Sequence, residues 1–433
     1  MNKQNVLIAI GGIFLVLFVA VFIFSRPASN SFTPGTIVVW GTAPKESFQE
    51  AILSYQKLNE GSKVTYVEKP AKDFEIVLVN ALAAGKGPDA WIADQELITT
   101  HADKIRSFPA AFFSASTLRT SMVDLAYDLY VVQNDDLPTS VVRAVPLWVD
   151  PLVLFWNRDL FNGASIATPP SNWTDFQQTS TRLVRRDAQA NIGVSGAAFG
   201  RGENVPEAYD IVMLMLMQRG GNLMSDKGRI DFGNPNVEPN ERTSLTESVL
   251  RYYTDFGNIG RSTYSWSASF SSPLDRFAGG RAGMMVNYLS SIAIIEETNP
   301  HLGVNVSPVP QATEKALTLA RVPAFAVSAQ SKNPTQAWHF GSYLATDAAS
   351  TFAIPQGTAP ALRSLLESKS DQTYKAIVTA ASLQASWPRD PFPATSRSIL
   401  NSTIDAVANT KLTVTEGASS ARTQLERALN KIN

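Results

Sequence analysis

Apolar and polar positions fall into two regimes along this chain. From Val6 to Phe24, nineteen successive residues carry no charge and no strongly polar side chain. At helical rise they span roughly 28 Å, the thickness of a bilayer's hydrocarbon core. From Thr36 onward, short apolar runs alternate with stretches whose apolar residues recur every three to four positions. That alternation predicts strands separated by amphipathic helices.

Thr36–Trp40 reads as a strand, followed by a helix with Phe48, Ala51, Ile52, Tyr55 and Leu58 on one face and a stop near Gly61. Lys63–Glu68 is a second strand and Ala71–Ala84 a second helix, with Phe74, Val77, Leu78, Ala81 and Leu82 inward. Gly85 and Gly87 suit its C-terminal turn, and Pro88 forbids continuation. Ala90–Ala93 is a buried strand. Strand, helix, strand, helix, strand at this pace argues for a parallel sheet with helices on both faces, in which ligands sit beyond the C-terminal strand ends. Later segments repeat the style. Asn333-Pro334 and Ser272-Pro273 read as helix starts, Ser244 with Glu247 as a capping box, Ala282–Val286 as a strand, and Glu416–Ile432 as a closing amphipathic helix.

The long apolar run reads as an uncleaved signal anchor in preference to a cleaved signal peptide. A signal peptide's core is shorter and ends in a small-x-small site, whereas this run exits through Ser25-Arg26-Pro27-Ala28. Residues 25–35 form a linker of turn formers. Lys3 against Arg26 places the short N-terminus inside and the large domain outside by the positive-inside tendency. The chain has no cysteine, which removes disulfides, thiolate metal sites and thiol nucleophiles. About 400 residues then stabilise themselves by core burial alone, and that length predicts two domains or lobes. Net charge is −1, so there is no basic footprint for nucleic acid. His101, His301 and His339 stand far apart, with no pair at metal-ligand spacing.

The usual catalytic signatures are missing. There is no G-x-S-x-G elbow, P-loop or G-x-G-x-x-G; Gly193-Val-Ser-Gly-Ala lacks the elbow spacing and reads as a loop. Paired-carboxylate chemistry stays open, because 38 acids supply many possible pairs. The Met213–Met217 stripe reads as core packing.

Several segments, in order, carry a resemblance. Ala83-Ala-Gly-Lys-Gly-Pro-Asp89, Val145-Pro-Leu-Trp-Val-Asp-Pro-Leu-Val-Leu-Phe-Trp-Asn-Arg-Asp-Leu-Phe161, Pro169-Pro-Ser-Asn-Trp-Thr-Asp-Phe176, Arg276-Phe-Ala-Gly-Gly-Arg-Ala-Gly-Met-Met285, Val306-Ser-Pro-Val-Pro-Gln311, Ala337-Trp-His-Phe340 and Leu344-Ala-Thr-Asp347 resemble segments of the extracellular solute-binding proteins of ABC importers, family 1, the class of maltose-binding protein. The chain lacks the lipid-modified cysteine usual in that family's Gram-positive members. The resemblance implies an α/β, two-lobed, periplasmic-binding-protein-like fold of type II, here with an N-terminal transmembrane helix, and a ligand held between lobes that close by hinge motion. It places crossings between lobes near Ala144–Trp148, Val304–Val309 and Ala353–Gly357. The expected division is anchor 1–24, linker 25–35, N-lobe 36–146 and 305–354, and C-lobe 147–304 and 355–433. The implied function is a membrane-tethered receptor for a sugar or oligosaccharide, monomeric and without cofactor, metal or catalysis. Its expected partners are an ABC transporter permease and the membrane. A secreted polysaccharide-active enzyme, a binding protein for another solute and an interaction module without small ligand are the alternatives.

Candidate contacts follow from position and side-chain chemistry. Thr42 and Lys45 follow the first strand and can donate to hydroxyls; Trp40 there is either contact or core. The family's ligand loop aligns with Ala93-Asp94-Gln95-Glu96, so Asp94 and Gln95 are acceptors, or Asp94 an N-cap. Trp148 and Asp150 lie in the first crossing, and the resemblance aligns Asp150 with an acid that reaches sugar hydroxyls; the alternative is a hinge salt bridge. Phe199 and Arg201 sit in a Gly-rich loop that reaches the cleft or is a mobile surface loop. Tyr264 and Trp266, flanked by small polar residues, are expected to stack on a sugar. Asn287 and Tyr288 end a strand, and Trp387 either closes over ligand or pins the last helices.

Overall fold

A computed structural model describes residues 34–133, 140–232, 242–350, 358–366 and 373–432. The anchor segment Val6–Phe24 lies outside them, as does the crossing expected at Ala353–Gly357. Among the described residues no helix is long and apolar enough to cross a membrane.

The strands gather into two main sheets. The first is ordered Lys63–Glu68, Thr36–Gly41, Ala90–Ala93, Ala324–Val327, Val145–Pro146. Its first three strands run parallel, the fourth pairs antiparallel with them, and the fifth pairs antiparallel with the fourth. The helix Glu46–Leu58 buries Phe48, Ala51 and Tyr55, and Phe74–Ala83 buries Phe74, Leu78 and Leu82. This is the inward stripe that three-to-four spacing requires. The second sheet is ordered Ala385–Ser386, Thr318–Arg321, Trp148–Asn157, Ala282–Tyr288, Ile192–Ala197, Arg185–Arg186. Trp148–Asn157 is its spine. Leu152 and Leu154 pack into one core, Val149, Val153 and Phe155 into the other. Burial on both faces explains why this strand is nearly all apolar instead of alternating with polar residues.

The chain first changes sheet at Leu147, between Val145–Pro146 and Trp148–Asn157. The return crossing lies between Arg321 and Ala324, not at Val304–Val309. Val304–Ser307 pairs antiparallel with Leu154–Asn157 inside the second sheet. The chain up to Arg321 therefore belongs with the second lobe. Gln95 clamps this crossing: its Nε2 donates to the Ala320 carbonyl at 3.3 Å, and its Oε1 accepts from the Val322 N–H at 2.9 Å. Tyr130 also donates its hydroxyl to the Val322 carbonyl.

Candidate functional site

Two cavities open where the lobes face each other, beyond the C-terminal ends of the first sheet's parallel strands. The larger, about 560 Å³, is lined by Glu96, Asp128 and Arg143 from the first lobe and by Asn222, Trp387, Arg389 and Asp390 from the second. The smaller, about 440 Å³, is lined by Thr42, Lys72, Glu75 and Asp94 on one side and Arg321, Pro393 and Ala394 on the other. Glu96 and Pro393 line both.

An ionic network runs from Glu96, which lines both, into the second lobe. Arg397, on the helix Pro393–Ala408, donates Nη2 to Glu96 Oε1 at 2.8 Å across the lobes and Nη1 to Asp210 Oδ1 at 3.0 Å. Asp210 is fully buried, and its Oδ2 accepts from the Tyr288 hydroxyl at 2.9 Å. The Arg321 guanidinium lies 3.8 Å over the Tyr288 ring and 3.8 Å from Asp210. Arg397 sits over Tyr209, whose hydroxyl donates to Asp390 at 2.6 Å. A buried charge is costly unless paired, and here each carboxylate meets a guanidinium or a hydroxyl. Burial pushes the Glu96 carboxyl up to about 7 against the pull of Arg397. Burial likewise raises Glu207 to about 7 and raises Asp390. Burial works against the charge on Arg397, but Asp210 and Glu96 more than offset it.

The expected contacts divide sharply. Thr42 and Asp94 line the smaller cavity, Gln95 and Trp387 the larger. Asp94 also caps the helix Gln95–Thr100, accepting from the Leu97 N–H, and Gln95 is occupied by the crossing. The others lie elsewhere. Lys45 is exposed and meets Glu46. Trp148 and Phe199 are core side chains. Trp266 is wholly buried, its Nε1 donating to Asn204 and its ring edge-on to Phe270, so it has no face for a ligand. Tyr264 lies under Arg186, outside both cavities. Arg201 is held by Asn409 and Asp405. Its glycine loop is tightly packed: a Cβ on Gly202 would lie 2.2 Å from the Asn401 carbonyl oxygen, and Gly200 has φ +97. Glycine permits that close backbone approach. Asp150 accepts both the N–H and the hydroxyl of Ser290, at 2.9 and 2.7 Å. Asn287 accepts from the Tyr288 N–H, and Tyr288 serves Asp210 from behind the cavity wall.

Sequence reasoning missed the charges that shape the site. Arg321 is the one charge in Leu317–Val327, and Arg397 the one charge in Pro393–Ile404. A lone charge in an otherwise uncharged run is expensive to bury, and this signal could have drawn attention to both. Among the described residues, no group of three or more His, Asp or Glu is placed to hold a metal ion. The lining offers carboxylate acceptors, guanidinium donors and one indole face, a set suited to reversible binding of a polar molecule.

The family model of bacterial extracellular solute-binding proteins matches residues 40–351. No curated protein matches the chain. Among solved structures, a solute-binding protein of an ABC transporter from Thermotoga lettingae, bound with alpha-D-tagatose, is similar at 19% identity and TM-score 0.73, covering 91% of this chain and 99% of that one. A substrate-binding protein from Listeria monocytogenes in complex with cycloalternan is similar at 18% and 0.73, covering 92% and 100%. The GacH receptor of Streptomyces glaucescens, solved unliganded and with acarbose, is similar at 17% and 0.73, covering 92% and 99%.

Proposed function

This chain belongs to the bacterial extracellular solute-binding proteins, which bind solutes and are not enzymes, and from that premise we propose that it is the receptor of an ABC importer for a sugar or oligosaccharide. The observation that carries the reading is the pair of polar cavities between the lobes, with Trp387 as the aromatic face and Glu96, Asp128, Arg143 and Asp390 as hydroxyl partners. An indole face plus charge-assisted hydrogen bonds suits a ring with an apolar side and a hydroxyl rim. The sugars bound by the similar structures point the same way. In this reading the protein acts as a monomer outside the cytoplasm, held to the membrane by Val6–Phe24. It closes about Leu147 and the Arg321–Ala324 crossing, and delivers its ligand to a permease.

Thermal-shift screening of the full chain in detergent micelles tests it, with mono- to tetrasaccharides beside amino acids and organic acids. A sugar at about 100 times its dissociation constant stabilises by about 2.7 kcal/mol. A shift with a charged solute and none with any sugar overturns the sugar reading. Uncleaved anchoring is tested on membrane-extracted protein, whose N-terminus should be Met1 or Asn2; a soluble product starting at Ser29 or later overturns it.

A further inference from the structure

The two interlobe cavities are separate chambers with Glu96 and Pro393 as their shared lining. Glu96 stands at the boundary, and Arg397, reaching across from the other lobe, holds its carboxylate at 2.8 Å. Neither side chain is a free surface arm. Arg397 is pinned from behind by Asp210, which is itself fully buried and held by Tyr288. Both members of the bridge are about three-quarters covered. A guanidinium restrained at both ends differs from an exposed pair, whose geometry is loose and whose worth is small.

We propose that the Glu96–Arg397 bridge is a partition that sets ligand length: the Trp387 chamber takes a saccharide of one or two rings, and a longer chain meets the bridge. The proposal rests on the sugar reading above. A chamber of about 560 Å³ is the size of a site for one small molecule. A chain running on toward Thr42 and Lys72 has to pass Glu96, which lines both chambers. Passing it means displacing a side chain that is held in place by its partner, Glu96 by Arg397 and Arg397 in turn by Asp210.

The test is calorimetric titration of the full chain with gluco-, manno- and galacto-oligosaccharides of one to four rings. The wild type, Glu96→Ala and Glu96→Gln are compared. Glu96→Ala removes the wall on one side, and Glu96→Gln keeps its shape. In the wild type, affinity peaks at one or two rings and falls at least tenfold by four. The ratio of four-ring to two-ring affinity rises at least tenfold in Glu96→Ala and stays within threefold of wild type in Glu96→Gln. A wild type that binds four rings as tightly as two overturns the partition, and needs no variant to fold. An unchanged ratio in Glu96→Ala, with its melting still cooperative, overturns the assignment to this bridge. No binding by any sugar overturns the sugar reading and the length limit with it, so the two failures are distinct.

Discussion

Trp266 and Trp387 both stand among small or turn-forming residues in the second lobe, yet their surroundings give them opposite roles. Trp266 is sealed: its indole N–H is satisfied by Asn204, its ring meets Phe270 edge-on, and none of its surface is exposed. Trp387 packs against both cores while keeping part of its ring on the larger interlobe cavity. A tryptophan's role is decided by what covers its second face and by who takes its N–H, and neither is written in its immediate neighbours.

The largest expected effect breaks or confirms that contrast directly. Trp266→Ala should destabilise the protein by about 3–5 kcal/mol, because it leaves a cavity and removes the donor to Asn204 Oδ1. Trp387→Ala should cost about 1–2 kcal/mol, since part of its ring is already exposed, while weakening ligand binding at least tenfold. Denaturant unfolding and titration of both variants decide it. Equal losses of stability, or normal binding by Trp387→Ala, would dissolve the distinction.

The same contrast shows what was legible along the chain. The β/α alternation from Thr36 to Ala93 was readable because periodicity records which face is buried, and the structure places strands and helices there. The second crossing was not. Val304–Ser307 is four residues, Val-Asn-Val-Ser, between Gly303 and Pro308, too short for their alternation to mark them off from a linker, and only its pairing with Leu154–Asn157 makes it a sheet strand. The aromatic Ser-Thr-Tyr-Ser-Trp-Ser stretch looked exposed because its neighbours are polar, yet Ser265 hydrogen-bonds the Ala197 backbone and is itself buried. The ionic network was hidden for a different reason. Glu96, Asp210, Arg321 and Arg397 lie far apart in sequence; the last three meet through the folding of the second lobe, and Glu96 joins them only across the lobes.

A smaller effect separates the charged cleft from the apolar cores through pH. Burial raises Glu96 and Glu207 from about 4.5 to about 7, and Glu207 Oε2 is buried with no hydrogen-bond partner. In that window the folded protein holds protons that the unfolded chain releases. The stability they contribute is therefore complete below about pH 4.5 and lost as pH rises through about 7. By those shifts the loss is on the order of 3 kcal/mol for each group. Melting curves from pH 4.5 to 8 on the wild type, Glu96→Gln and Glu207→Gln should show the slope flattening in each variant. Parallel curves would mean that these two carboxyls titrate as they do in water.

The smallest effect concerns Asp150, which lies on the strand that follows the Leu147 crossing and lines neither cavity. Its two oxygens are already spoken for by the Ser290 N–H and hydroxyl, tying the crossing strand to the loop after Ala282–Tyr288. Burial raises its carboxyl, against those hydrogen bonds and Arg321, so its charge is kept at some cost. Asp150→Asn keeps the shape and one acceptor but turns an amide N–H₂ toward Ser290. One hydrogen bond weakens while the burial cost of a charge is relieved, so the net loss of stability should be about 1 kcal/mol or less. Ligand affinity should stay within about threefold, because Asp150 lines neither cavity. An acid that gripped sugar hydroxyls would instead lose roughly ten- to a hundredfold on this substitution. Titration of Asp150→Asn with the best sugar from the panel therefore separates a hinge fastener from a ligand contact. A loss of that size, with melting unchanged, would move the ligand from the Trp387 chamber to the hinge.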